Sequence, residues 1–309
     1  MGEEMQGVEG DTGWRKAIPE GRDRLQSRVL VRVVGALLVW LSVDVLHAAK
    51  PFGIRFPVFV LKVFVLSGAF AFIARRLRAA TVGGAALGGM ICLVMTFWTA
   101  IWTISVVRSG LTPLVSLFLI TFLATRVGRQ QKIKTGLAEA RQGRSAAQVV
   151  ANLSIAAICV SFRSIWIVAW DTSRIHQVVP MMETACVAAL VEATADTVSS
   201  EIGQAFGGRP VMLLSLRRVE AGTDGAVTWL GSAAGVGAGA LVAAAGMWGL
   251  RLPIGLAAIA LGAGVCGLFF DSLLGATVER RGWLGNDLVN FTSTAFAVGL
   301  AFAIYWVIY

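Results

Sequence analysis

The stretch Glu192-Ala-Thr-Ala-Asp196-Thr-Val-Ser-Ser-Glu201 sets three carboxylates into an oily run that starts near residue 180. At the centre of a membrane helix a carboxylate costs roughly 2.5–3.5 kcal/mol on insertion scales, so it faces a partner, a cavity or a site. A second acidic break, Asp271-Ser-Leu-Leu-Gly275, closes another apolar run. The rest of the chain explains why these breaks stand out. Its 309 residues are 56% hydrophobic and only 15% charged, where a soluble domain is about one quarter charged. The sequence therefore reads as an all-α polytopic membrane protein, because a helix satisfies its own backbone polar groups in lipid.

Apolar runs of about 20 residues suit ~30 Å of hydrocarbon. Nine spans are predicted, at 30–48, 57–74, 81–107, 111–125, 147–169, 180–200, 225–249, 253–277 and 286–308. They form one transmembrane domain, 29–309, behind a polar tail, 1–28. The tail mixes acidic and basic residues and has no apolar core of its own, unlike a signal peptide. The four cysteines lie in apolar runs without C-x-x-C spacing and read as buried packing residues. The spacing Gly231, Gly235, Gly239 reads as a surface for close helix contact.

Orientation follows from the basic residues. Nineteen of the 27 Lys and Arg fall in the tail and the loops after spans 2, 4, 6 and 8, five fall on the opposite side, and three lie within spans. The N-terminus is expected to be cytoplasmic, most simply at a bacterial plasma membrane. This asymmetry accounts for most of the net charge of +9, so no nucleic-acid partner is needed. Basic loops also attract anionic membrane lipids.

With that orientation the polar residues of the second half gather at one face. Glu192 and Asp196 share a helix face, continued by Ser199 and Ser200. Asp271 ends its span on the same side, and Asn286-Asp287 with Asn290 opens the last one. The turn Gly222-Thr223-Asp224-Gly225 follows Arg217-Arg218 and can expose backbone N–H groups to a phosphate. Its alternative reading is a helix cap, Thr223 or Asp224, before span 7. The loop from Arg126 through Lys132 to Arg144 is strongly basic, and Gln148 and Asn152 follow four apart. Arginine suits bidentate phosphate binding, whereas hard oxygen ligands with phosphates suit Mg²⁺. The buried carboxylates could instead be neutralised, or paired with Arg163.

Six motifs in order now carry a resemblance. They are Thr81-Val-Gly83-Gly-Ala85, Gly143-Arg144-x3-Gln148-Val-x2-Asn152, Ala195-Asp196-Thr197-x2-Ser200-Glu201-Ile-Gly203, Gly222-Thr223-Asp224-Gly225, Asp271-Ser272-x2-Gly275-Ala276 and Asn286-Asp287-x2-Asn290. Across residues 78–309 the chain resembles the transmembrane protein 19 / phytyl-phosphate kinase family. It departs in having Arg126 where Lys is common, and in a short loop from Val278 to Gly285. The resemblance implies a membrane-embedded kinase that passes a phosphoryl group from CTP or ATP to a phytyl or prenyl monophosphate, with Mg²⁺. On this reading Asp196, Asp271 and Lys132 are catalytic. Asp196, Glu192, Asp224, Asp271 and Asp287 are metal ligands. Arg126, Arg144, Gln148, Asn152, Arg217, Arg218, Thr223 and Asn290 hold phosphates. A cytidylyltransferase or lipid-alcohol kinase would use the same parts. A lipid-phosphate or anion transporter would instead place polar residues near the bilayer midplane in an internal repeat.

Overall fold

The computed structural model describes residues 18–48, 55–101, 103–134, 143–170 and 175–309. Its helices are α1 (Glu20–Ala48), α2 (Arg55–Arg76), α3 (Val82–Ala100), α4 (Leu111–Arg126), α5 (Arg129–Lys134), α6 (Ala146–Trp170), α7 (Ile175–Phe206), α8 (Trp229–Leu250), α9 (Ile254–Leu274) and α10 (Asn286–Ile308). Helices occupy the nine expected segments, and α5 is a further short one in the basic loop. Among the described residues, seven of them (α1–α3 and α7–α10) are long and apolar enough to cross a membrane; α4 and Ala146–Ser161 are shorter apolar stretches.

The architecture is not purely helical. Between α7 and α8, β1 (Val211–Met212) pairs antiparallel with β2 (Ala226–Val227), in register Val211–Val227 and Met212–Ala226. This loop carries no alternation of apolar and polar residues long enough to announce a strand. Helix α3 also ends at Ala100 rather than at 107. Beyond it Ile104 takes a φ of 53°, and the Gly110 N–H donates to Thr99 Oγ1 at 2.7 Å, which turns the chain back towards α3.

Helix α7 is the axis of the bundle, in contact with α4, α6, α8, α9 and α10. Its closest neighbour is α8, through the glycine spacing noted above. A methyl group on Gly231 would lie 2.5 Å from Ser199 O, one on Gly235 2.5 Å from Ala195 O, and one on Gly239 2.9 Å from Val191 Cγ1. The glycines thus let two helical backbones touch, where lipid supplies no hydrophobic drive for association. Cys92, Cys159 and Cys186 are buried, as packing residues are, but Cys266 is exposed on the outer side of α9.

Helix α1 begins at Glu20, so the last residues of the polar tail, 1–28, are helical, and they grip the turn before α10. Arg22 donates to Gly282 O (3.1 Å), Gln26 Nε2 donates to Trp283 O (2.8 Å) and Gln26 Oε1 accepts from Gly285 N (2.8 Å).

Candidate functional site

An acidic cavity of about 170 Å³ opens where α7, α9, α10 and the hairpin loop meet. Asp196 enters from α7, Asp271 and Ser272 from the last turn of α9, and Asn290 from the first turns of α10. Thr223 and Asp224 enter from the Gly222–Gly225 turn. That turn is not the cap of α8. Thr228 takes the cap instead, accepting from Gly231 N at 3.0 Å. The turn is shaped by glycines at φ 89° (Gly222) and 74° (Gly225), and Gly225 packs so closely on Ser272 and Ala276 that no Cβ fits. Thr223 is buried, its hydroxyl donating to Glu220 O at 2.6 Å.

Asn290, its amide assigned from its hydrogen-bond neighbours, donates to Asp271 Oδ1 at 3.3 Å. Asp271 also feels the charges of Asp196 and Glu192. Glu192 lies one turn deeper than Asp196 and does not line the cavity. It is buried, and its two oxygens accept from Ser293 Oγ (2.7 Å) and Thr294 Oγ1 (2.6 Å). Outside the membrane helices, burial pushes the Asp224 carboxyl up to about 6, with Arg280 opposing the rise.

A second, larger cavity of about 550 Å³ lies between the end of α2, α4, α5 and the start of α6, and it is basic. Arg126, Lys132 and Arg144 line it. Arg126 lies over the Phe122 ring, 3.5 Å from the centroid, and donates to Leu77 O at 3.2 Å. Lys132 is buried; its ammonium donates to Ala124 O (3.5 Å), Thr125 O (3.1 Å) and the carboxylate of Glu201. With its protons directed at these three acceptors, Lys132 ties α5 to α4 and α7. Arg144 links the two cavities. Its Nη2 donates to Thr197 Oγ1 at 3.1 Å, and its charge acts on Asp196.

The structure leaves other expected site residues away from both cavities. Gln148 forms a reciprocal capping box with Ser145, accepting from Ser145 N at 2.7 Å while Gln148 N donates to Ser145 Oγ at 3.2 Å. Asn152 is buried and donates to Gln148 O at 2.8 Å. Arg217 and Arg218 are exposed in the hairpin turn, with Arg218 bridged to Val211. Asp287 accepts from Ser27 of α1 at 2.6 Å. The side chain of Arg163 lies outside the described residues. Conversely, Glu279, which lines the acidic cavity, and Arg280, which faces Asp224, were not singled out. Neither was the Ser293-Thr294 pair that holds Glu192. The one available signal was Ser145-x-x-Gln148, a capping-box spacing that marks Gln148 as a helix start.

Among the described residues, no group of three His, Cys, Asp or Glu stands close enough to hold a metal by itself.

The family described as integral membrane protein DUF92 matches residues 65–298. The chain belongs to this family. Proteins similar to the chain include an uncharacterised membrane protein of Methanocaldococcus jannaschii, 32% identical over 59% of this chain and 70% of the relative's length. An uncharacterised membrane protein of Synechocystis is 28% identical over 62% and 73%. The chloroplastic protein VTE6 of Arabidopsis thaliana is 30% identical over 59% and 54%. No solved structure matches the chain.

Proposed function

We propose that this DUF92 protein is a membrane-embedded phosphotransferase. It moves the terminal phosphoryl group of CTP or ATP onto a phytyl or prenyl monophosphate and yields the diphosphate. The observation that carries this reading is the acidic cavity: two carboxylates from separate helices, Asp196 and Asp271, face a glycine-bounded turn bearing Thr223 and Asp224. The positive-inside rule puts this cavity at the cytoplasmic face of nine spans, with α4 and α6 counted among them.

The donor set suits Mg²⁺. That ion takes one or two carboxylates, waters and substrate phosphates in preference to an all-protein cage. Asp196 and Asp271 would hold it, with Asp224 beside them, and its contribution is to neutralise charge on the phosphates. About 170 Å³ admits phosphate groups and a cation, with the nucleoside outside. In the transfer an oxygen of the acceptor phosphate bonds to the terminal phosphorus, and the bond from that phosphorus to the bridging oxygen breaks. The nucleoside diphosphate leaves with that electron pair. The acceptor phosphate is largely ionised near pH 7, so positioning and charge stabilisation do most of the work. Arg144, held beside Asp196, stabilises charge on the phosphoryl group in flight. Lys132 positions the basic helix through Glu201.

The test is label transfer from γ-labelled CTP and ATP to phytyl and geranylgeranyl phosphate, with purified protein and Mg²⁺. Label in the diphosphate, falling about 10³-fold in Asp196→Asn, is the expected result. No label from either donor with folded protein overturns the reading, and substrate flux into liposomes without nucleotide becomes the next measurement.

A further inference from the structure

The basic cavity has two unlike walls. Phe118 and Phe122 of α4, with Leu77 after α2, give an apolar side; Arg78, Arg129 and Arg144 give a cationic one. Its volume of about 550 Å³ falls within the roughly 300–1,000 Å³ of small-molecule pockets. The apolar wall does not end at the cavity. On α4, Leu119 and Leu123 are 50% and 61% exposed, one turn apart, and Ile133 of α5 is 57% exposed. In a membrane protein such a strip faces acyl chains, so an apolar tail can enter from lipid without crossing water. The cationic side is held in place by backbone. Arg144 N donates to Ala79 O at 2.9 Å and Arg144 O accepts from Thr81 N at 3.0 Å, so the segment ahead of α6 is clamped to the start of α3.

We propose that this cavity binds a long-chain phosphate monoester. The chain lies along Phe118, Phe122 and Leu77, and the phosphate meets Arg78, Arg129 and Arg144. As a binding site this stands on the cavity alone. As the seat of the phosphoryl acceptor it rests on the kinase reading, with Arg144 at the boundary between acceptor and acidic cavity. Arginine forks suit a phosphate dianion, and several converging cations favour it over a neutral prenyl alcohol.

The experiment is equilibrium binding of labelled geranylgeranyl phosphate to the purified full chain in detergent. The competitors are unlabelled geranylgeranyl phosphate, dioleoyl phosphatidic acid, geranylgeraniol and inorganic phosphate. Saturable binding that Arg78→Gln/Arg129→Gln weakens at least ten-fold, and that Asp196→Asn leaves intact, is expected. Competition by geranylgeranyl phosphate alone assigns the site to isoprenoid phosphates. Competition by phosphatidic acid as well keeps the site and widens it to phosphate lipids. Equal competition by geranylgeraniol or by inorganic phosphate overturns the proposal, as does undiminished binding in the folded double variant. A diazirine-tagged geranylgeranyl phosphate tests the wild-type chain directly; crosslinks in α4 are expected, and crosslinks confined elsewhere sink the assignment. Binding without label transfer would remove the kinase reading and leave the site. Transfer indifferent to the arginine variants would do the reverse.

Discussion

Helices α2 and α7 invert the habit of soluble proteins. α2 is the more hydropathic of the two, yet only 22% of its most apolar window is buried; in the less hydropathic α7 that share is 89%. Outward-facing apolar residues such as Leu61, Val65 and Phe72 of α2 meet lipid, which is as apolar as they are. Polar groups cannot face lipid cheaply, so Glu192, Asp196 and Thr197 occupy the helix that every later span surrounds. The difference teaches where to look in such a chain: the helix least like a membrane span is the one at the centre, and it carries the site.

The sharpest way to break this comparison is one substitution at two glycines. Gly68 of α2 has no neighbour within 4 Å of where a Cβ would stand, whereas at Gly235 the Cβ would lie 2.5 Å from a backbone oxygen of α7. Gly68→Leu should leave the melting temperature within about 2 °C of the parent. Gly235→Leu should cost about 3 kcal/mol or more, since the off-rotamer side chains and backbone shifts forced by overpacking cost ~1–3 kcal/mol and here the clash is with backbone itself; a fall of roughly 10 °C or failure to purify as a monodisperse species is expected. Equal tolerance at both positions would refute the central place of α7.

Lysine gives the second pair. Lys62 is exposed on α2, while Lys132 is 1% exposed and ion-paired with Glu201. Lys62→Met should be nearly silent in thermal denaturation. Lys132→Met strands a mostly buried carboxylate and should cost about 3–5 kcal/mol. Adding Glu201→Met should recover part of that loss. A double variant no better than the single one would mean that the contacts to Ala124 O and Thr125 O, not the charge pair, matter most.

How far the sequence showed this arrangement depends on the physics of each part. Helix positions followed from hydrophobic runs bounded by Arg, Gly and Pro, so α2, α4, α6 and α10 fall within about two residues of expectation, whereas α8 starts four residues late, after the β2 strand. The meeting of Asp196, Asp224 and Asp271 in one cavity follows from helix direction, since odd and even spans end on opposite sides. What the cavity binds does not follow from direction. The Lys132–Glu201 pair spans 69 residues, and no local pattern encodes such a partner. Two clusters of opposite charge, rather than one mixed site, were invisible for the same reason: helix order around α7 is a packing outcome. Gln148 resembled a site residue because polar residues four apart look alike whether they face a ligand or close a capping box.

A smaller contrast lies within α7. Glu192 and Asp196 are one turn apart, but the first is sealed by Ser293 and Thr294 while the second lines the cavity. Glu192→Gln keeps shape and one acceptor, and should cost about 1 kcal/mol of stability with most transfer activity retained. Asp196→Asn should keep the fold and lose the activity. If the two variants behave alike in both assays, depth along the helix does not divide structure from chemistry.

The smallest expected effect lies outside the helices, at Asp224. Burial raises its carboxyl to about 6, and Arg280 pulls the other way; Glu279 also faces it. A raised carboxyl is charged above that pH and neutral below it. The acidic cavity therefore loses one negative charge as pH falls through about 6, and phosphoryl transfer should fall on that limb while the helices stay folded. Arg280→Gln removes the cation that favours the carboxylate, so the limb should move to higher pH. Asp224→Asn should remove this component of the limb altogether at some cost in rate, because the carboxyl that titrates is gone. The comparison with the membrane helices makes the result informative in either direction. A limb that shifts with Arg280 places control of the cavity's charge in the water-exposed loop, where a proton arrives easily. A limb unmoved by both substitutions takes it out of that loop and assigns it to another titrating group, the acceptor phosphate first, whose second ionisation lies at about pH 6.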